Sequence, residues 1–276
     1  MRLNVHHVTR SRFDAPVRGL IQTQRLYAAS HAGQTVLDWS VETPGAIRGA
    51  GFRDSAGDWV ETITLRGPLT EAVVEVRGTV DTADTFGVLR EHREKVPPLV
   101  YTTPTRKTQP DNALRELSAD TLAGMSQDSA LDRAHALSNA VADAIAYRPG
   151  ETEAHTTAAE ALAGGSGVCQ DHTHALISVA QVAGIPARYV MGYLYADADG
   201  IVHEASHAWT ELWVPDLGWV GFDVSNRCCP DDKYIRLGSG IDSVDAAPIR
   251  GLVQGSQPAE HLAVEVVVTA GQQQQQ

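Results

Sequence analysis

The stretch Gly164-Gly165-Ser166-Gly167-Val168-Cys169-Gln170-Asp171 constrains this chain more than any other. Glycines interrupt regular structure, because they adopt backbone conformations that other residues avoid. The residues after them have a helical pattern. Ala175, Leu176, Val179, Ala180 and Ala183 fall on one face at three- and four-residue spacing, and Gly184 with Pro186 ends the run. A single cysteine, Cys169, thus stands in the first turn of a buried helix, where the positive end of the dipole favours thiolate over thiol. Position alone also fits a small buried hydrophobe. A nucleophile needs a base to take its proton and a third group to orient that base.

The strand Ser206-His207-Ala208-Trp209-Thr210-Glu211-Leu212-Trp213 offers the base. Its period of two puts His207, Trp209, Glu211 and Trp213 on one face. A hairpin through Val214-Pro215-Asp216-Leu217-Gly218 leads to a second strand ending Phe222-Asp223-Val224. If Trp213 sits opposite Trp219, Asp223 lies opposite Trp209, diagonal to His207 and on its face, roughly 7–8 Å away at the backbone. A slip of one residue would send Asp223 to the other side. The spacing therefore permits a Cys169–His207–Asp223 triad.

Other groups read more plainly. His172 and His174 are two apart on a helix, which directs their imidazoles roughly 200° from one another, a poor arrangement for one metal ion. With His203 and Glu204 nearby, they are expected to flank the cleft rather than bind metal. Cys228-Cys229 is too tight for an ordinary bridge. Asp197 and Asp199 read as turn residues. No cofactor and no metal is expected. The net charge of −12 provides no basic surplus to neutralise phosphates, so neither nucleic acid nor an anionic membrane is an expected partner. No apolar run reaches the roughly 18 residues of a membrane span. No apolar signal-peptide core follows Met1, and the cysteines form no disulfide framework, which together suggest a cytoplasmic protein.

The chain divides by pattern. Residues 1–105 read as β-rich, with alternating runs such as Leu3–Val8, Val60–Leu65 and Ala72–Val80 between glycine and Asp/Ser turns. About six or seven short strands in a sandwich-like domain are expected. Pro97 to Pro104 suggests an extended linker. Residues 106–271 begin with helices over about 113–119, 130–145 and 156–163, then the cysteine helix, then strands over about 187–195, 205–214 and 218–224. Residues 225–260 look irregular, and 261–269 form a last strand. Residues 272–276 are a poly-Gln tail.

Gly167-Val168-Cys169-Gln170-Asp171, Gly184-Ile185-Pro186-Ala187-Arg188-Tyr189-Val190-Met191-Gly192-Tyr193, Ser206-His207-Ala208-Trp209 and Gly218-Trp219-Val220-Gly221-Phe222-Asp223 together resemble the bacterial transglutaminase-like cysteine peptidase family. Residues 1–105 are similar to the β-rich domain that precedes this core in bacteria. The resemblance implies an α+β fold: a papain-like core, with the nucleophile on a helix packed against an antiparallel sheet. It implies Cys169 as nucleophile, His207 as base and acid, and Asp223 as orienter. The implied chemistry is attack on a peptide or amide carbonyl of a peptide or protein substrate, through a thioester. Water resolves it in a hydrolase, and an amine in a transglutaminase or amide synthase. A non-catalytic binding module on the same fold is the alternative of another class. Two departures stand out. Val224-Ser225-Asn226 replaces the usual Pro-Thr-Asn, and no tryptophan lies between Trp59 and Cys169. Animal transglutaminases use such a tryptophan as oxyanion donor, so here the Cys169 N–H would need a different second donor.

Overall fold

A computed structural model describes residues 1–126, 129–195, 206–255 and 258–271. The Asp197–Asp199 turn, His203, Glu204 and the glutamine tail lie outside the described residues.

The N-terminal region is built on two long strands. β1 (Arg2–Gln24), β2 (Gln34–Glu42), β3 (Ile47–Arg53) and β4 (Trp59–Thr82) follow in order, and β1 and β4 run to 23 and 24 residues. These two pair antiparallel over their lengths, with register shifts between Arg12 and Gly19. β2 joins the C-terminal half of β4, and β3 its N-terminal half. The expected larger number of short strands is thus four, because a long strand interrupted by a bulge reads in sequence as two. Alternate side chains along β1 are buried, among them Leu3, Val5, Phe13, Val17 and Leu20.

The expected extended linker contains a 3-10 turn, Pro98–Thr102, which delivers Tyr101 edge-on to the Trp219 ring at 5.3 Å. Next come α1 (Asn112–Leu122), α2 (Ala130–Ala144), β5 (Ala146–Tyr147), α3 (Ala158–Gly164), β6 (Ser166–Gly167) and α4 (Cys169–Val182). The caps follow the sequence. The Asp111 carboxylate accepts the Leu114 N–H, and Thr157 with Glu160 forms a reciprocal capping box on α3. α4 is buried from Asp171 to Gln181. The other three helices pack around it, and β7 (Ala187–Leu194) and β8 (Ser206–Val214) cover another side.

β7 and β8 belong to a four-stranded antiparallel sheet completed by β9 (Gly218–Phe222) and β10 (Tyr234–Gly240), in the order β10-β7-β8-β9. β10 corrects the expectation of an irregular 225–260. All seven of its residues are buried, so it shows no in–out alternation, and its two glycines read as loop. β11 (Ile249–Gln254) also lies within 225–260. β12 (Glu260–Ala270) is the expected last strand, but it pairs with β1 from Leu3 to Phe13, and β11 pairs with β1 from Gly19 to Gln24. The closing strands of the expected 106–271 unit therefore complete the N-terminal sheet. Pairing between segments so far apart in the chain leaves no local trace in either one.

Buried ion pairs tie the two sheets together. Arg236 reaches Asp58 and Glu211, each at 3.0 Å, and Arg188 reaches Glu211 at 2.7 Å and also Glu94. The Arg188 guanidinium lies 4.1 Å over the Trp219 ring. Burial opposes charge on Glu211, but Arg236 and Arg188 outweigh it and hold the carboxyl down at about 2. No helix among the described residues is long and apolar enough to cross a membrane.

Candidate active site

The backbone around Cys169 is shaped by a close approach. Val168, at the N-cap of α4, has no polar side chain, so Asp171 reaches back and its Oδ2 accepts the Val168 N–H at 2.9 Å. Thr152 donates to the same oxygen at 2.6 Å. A side chain at position 167 would place its Cβ 2.7 Å from the Asp171 Cβ, so only glycine lets the chain pass. The helix ladder begins with the His172 N–H on the Val168 carbonyl. The Cys169 N–H, in the first turn, has no carbonyl four residues back within the helix and is free to face an oxyanion.

Trp213 pairs with Trp219 across the β8–β9 hairpin, and Thr210 pairs with Phe222. This register places Asp223 beside His207. The His207 Nε2 donates to Asp223 Oδ2 at 2.6 Å, which leaves Nδ1 as the free ring nitrogen. His207 is also close enough to the Cys169 thiol to feel it electrostatically. Burial alone would lower the imidazole pKa. The charge and hydrogen bond of Asp223, with those of Cys169, reverse this and push it up to about 10. Asp223 is likewise penalised by burial, yet its pKa is lowered, because His207, Asn226 and Tyr234 all stabilise the carboxylate. The structure thus brings all three sequence candidates into one place.

Two contributors escaped sequence reasoning. Tyr234 donates its hydroxyl to Asp223 Oδ2 at 2.7 Å, and Asn226 donates to it through Nδ2 at 2.7 Å. The Asn226 backbone N–H adds a bond to Oδ1 at 3.2 Å. Tyr234 lies on β10, whose uniform burial hid the strand. Asn226 was visible as the last residue of Val224-Ser225-Asn226, the motif that departs from the family pattern. Val224 is buried in the core, and Ser225 meets His172 Nδ1 at 3.0 Å. The departure therefore leaves the asparagine in a working position. Trp209 stacks beside His207, with ring centroids 6.4 Å apart, and Tyr234 packs against Trp209. Together they form an aromatic wall beside the imidazole.

The remaining histidines of α4 are engaged separately. His172 Nε2 donates to the Ile145 carbonyl at 2.8 Å, while His174 Nε2 accepts the Ser243 N–H at 3.2 Å. Burial lowers both, His174 to about 4, so each is neutral. Burial raises the other two thiols, Cys228 and, to about 11, Cys229.

Residues 115–224 match the family model of the transglutaminase-like superfamily, and residues 3–81 that of the bacterial transglutaminase-like N-terminal region. An uncharacterized protein of Mycobacterium leprae is 30% identical over 291 residues, covering 97% of this chain and 98% of its own. The chain belongs to the transglutaminase-like superfamily. A protein-glutamine gamma-glutamyltransferase of Pseudomonas aeruginosa is 34% identical over 83 residues, which is 28% of this chain and 12% of that protein. A crystal structure of a candidate cysteine protease from Cytophaga hutchinsonii shares the fold, with a TM-score of 0.71 at 19% identity over 99% of this chain and 92% of the other. Membership accounts for the mixed architecture, a β-rich N-terminal region followed by a helix-and-antiparallel-sheet core.

Proposed function

We propose that this superfamily member is a cysteine hydrolase that cleaves a peptide or amide bond in a peptide or protein substrate. Cys169 is the nucleophile, His207 the base and acid, and Asp223 the orienter. The observation that carries the reading is the 2.6 Å His207–Asp223 pair, with its free ring nitrogen beside a cysteine at a helix N-terminus. An imidazole that holds its proton up to about pH 10 is the form that pairs with a thiolate and later protonates an amine. The thiolate attacks the carbonyl carbon, and the C=O electron pair moves to oxygen. On collapse the C–N bond breaks, and the leaving amine takes the His207 proton. Water, deprotonated by the now neutral His207, hydrolyses the thioester. The three cysteines are free thiols, which supports a cytoplasmic location.

Acyl transfer to an amine is the second reading, favoured by the 83-residue similarity to the glutamyltransferase. The two share every step up to the thioester. Carbobenzoxy-Gln-Gly with and without dansylcadaverine separates them. Hydrolysis releases ammonia from the side-chain amide, or glycine from the peptide bond, without incorporating the amine, whereas transfer releases the same leaving group and incorporates the amine. The nucleophile is tested by iodoacetamide at pH 6. Label is expected on Cys169 and absent from Cys169→Ala, because burial holds Cys228 and Cys229 as thiols. Label on Cys228 or Cys229 instead would overturn the assignment.

A further inference from the structure

An acyl transfer of this kind needs a second oxyanion donor besides the Cys169 N–H, and the chain has no tryptophan between Trp59 and Cys169 to supply one. The short parallel pair β5–β6 places a different residue alongside the strand that leads into Cys169. The Ala146 N–H bonds the Gly165 carbonyl at 2.9 Å, and the Arg148 N–H bonds the Gly167 carbonyl at 2.8 Å. Between them Tyr147 stands opposite Gly167, two residues before Cys169. The Tyr147 ring lies flat on His172, one turn along α4 from Cys169. Their centroids are 6.2 Å apart, with an interplanar angle of 10°. His172 is itself fixed by Ile145 and Ser225, so the ring rests on a rigid platform.

We propose that Tyr147 is a catalytic residue of this chain, its phenolic O–H donating to the oxyanion that forms when Cys169 attacks a carbonyl. This rests on the reading of Cys169 as nucleophile. Three observations fit the role. Tyr147 is half exposed, so a substrate carbonyl can reach it. Among the described residues its hydroxyl has no hydrogen-bond partner, so its proton is uncommitted. Partial burial, then the charges of Cys169 and Asp223, raise its pKa, so it stays a donor across the working range. In the step, the S–C bond forms as the C=O pair moves to oxygen, and the Tyr147 proton is shared with that oxygen. On collapse the proton returns to Tyr147, the leaving group departs, and no net proton is lost from the tyrosine.

The experiment uses the full chain and 4-nitrophenyl acetate as the acyl donor, with release of 4-nitrophenolate as the readout. Tyr147→Phe keeps the stack on His172 and removes only the hydroxyl. The expected result is a fall in the acylation rate constant of about 10²-fold, with KM within about twofold, as for loss of one oxyanion donor. Alkylation of Cys169 by iodoacetamide forms no oxyanion, so its rate is expected to stay within about twofold. Acylation within about threefold of the parent would overturn the proposal. A parallel fall in alkylation would also overturn it, because the hydroxyl would then act on the thiol. Acylation surviving in Cys169→Ala would remove the nucleophile assignment itself, a failure separable from that of Tyr147.

Discussion

Asp223→Asn isolates what the carboxylate does for His207. Three donors converge on Oδ2, from His207, Tyr234 and Asn226, so the asparagine oxygen takes that place. Its amide NH2 then faces the Asn226 backbone N–H, now without an acceptor. Shape is kept and charge is lost. In the parent, His207 is raised from 6.5 to about 10. That difference is worth about 5 kcal/mol of preference for the imidazolium. It is a net value left after burial has opposed the charge, so the partners supply more than this. With Asp223 neutral, only the interaction with Cys169 is left to oppose the burial of a side chain 12% exposed. The imidazole pKa is expected to fall by at least about 2 pH units, and kcat on an amide substrate by about 10²–10⁴-fold. Titration of the His207 ring by ¹⁵N NMR, assigned with His207→Gln, reads the shift without any substrate. A variant still titrating above about pH 9 would refute the reasoning, since the charge on Asp223 would then not be what holds the proton. The same group fixes a stability trend. A folded pKa above the unfolded one contributes stability in full below about pH 6.5 and loses it as pH rises toward about 10. Urea midpoints of the parent are expected to fall across that window, and those of Asp223→Asn to fall less.

Two further perturbations test the scaffold. Glu211→Gln leaves Arg188 and Arg236 buried without their shared carboxylate and is expected to cost about 3–5 kcal/mol in urea unfolding at pH 7. The contribution of Glu211 is present above about pH 4.5 and lost as pH falls toward about 2, so the gap between parent and variant should narrow on acidification. Gly167→Ala drives a methyl group into Asp171 and is expected to destabilise by about 1–3 kcal/mol and to slow iodoacetamide labelling of Cys169. An unchanged melting temperature and labelling rate would mean that the Val168–Asp171 cap yields without cost.

Several features of the site were legible in the sequence because they are local. The glycine run, the cysteine helix and the spacing of Gly184 and Pro186 each obey short-range rules, and α4 begins at Cys169 as the pattern requires. The hairpin register was legible for the same reason. A tight loop between two tryptophans fixes which residues oppose each other, and that puts Asp223 on the face of His207. The first sheet was harder to read, since the bulges in β1 and β4 cut two long strands into apparent short ones.

What the tertiary structure alone decided is where distant segments meet. β10 is buried on every residue, so its pattern carries no strand signal, yet it supplies Tyr234 to the Asp223 carboxylate and Arg236 to the buried ion pairs. β11 and β12 return to β1 by pairing that depends on the whole fold, so nothing in residues 249–270 announces it. Tyr147 comes to lie near Cys169 through two backbone hydrogen bonds between strands of two residues each, too short for any periodicity to mark. Local sequence sets caps, turns and hairpin register, because their energies are decided within a few residues. The donor-rich surroundings of Asp223, the joint between the sheets and the ring stacked on His172 depend on burial, which is a property of the folded chain as a whole.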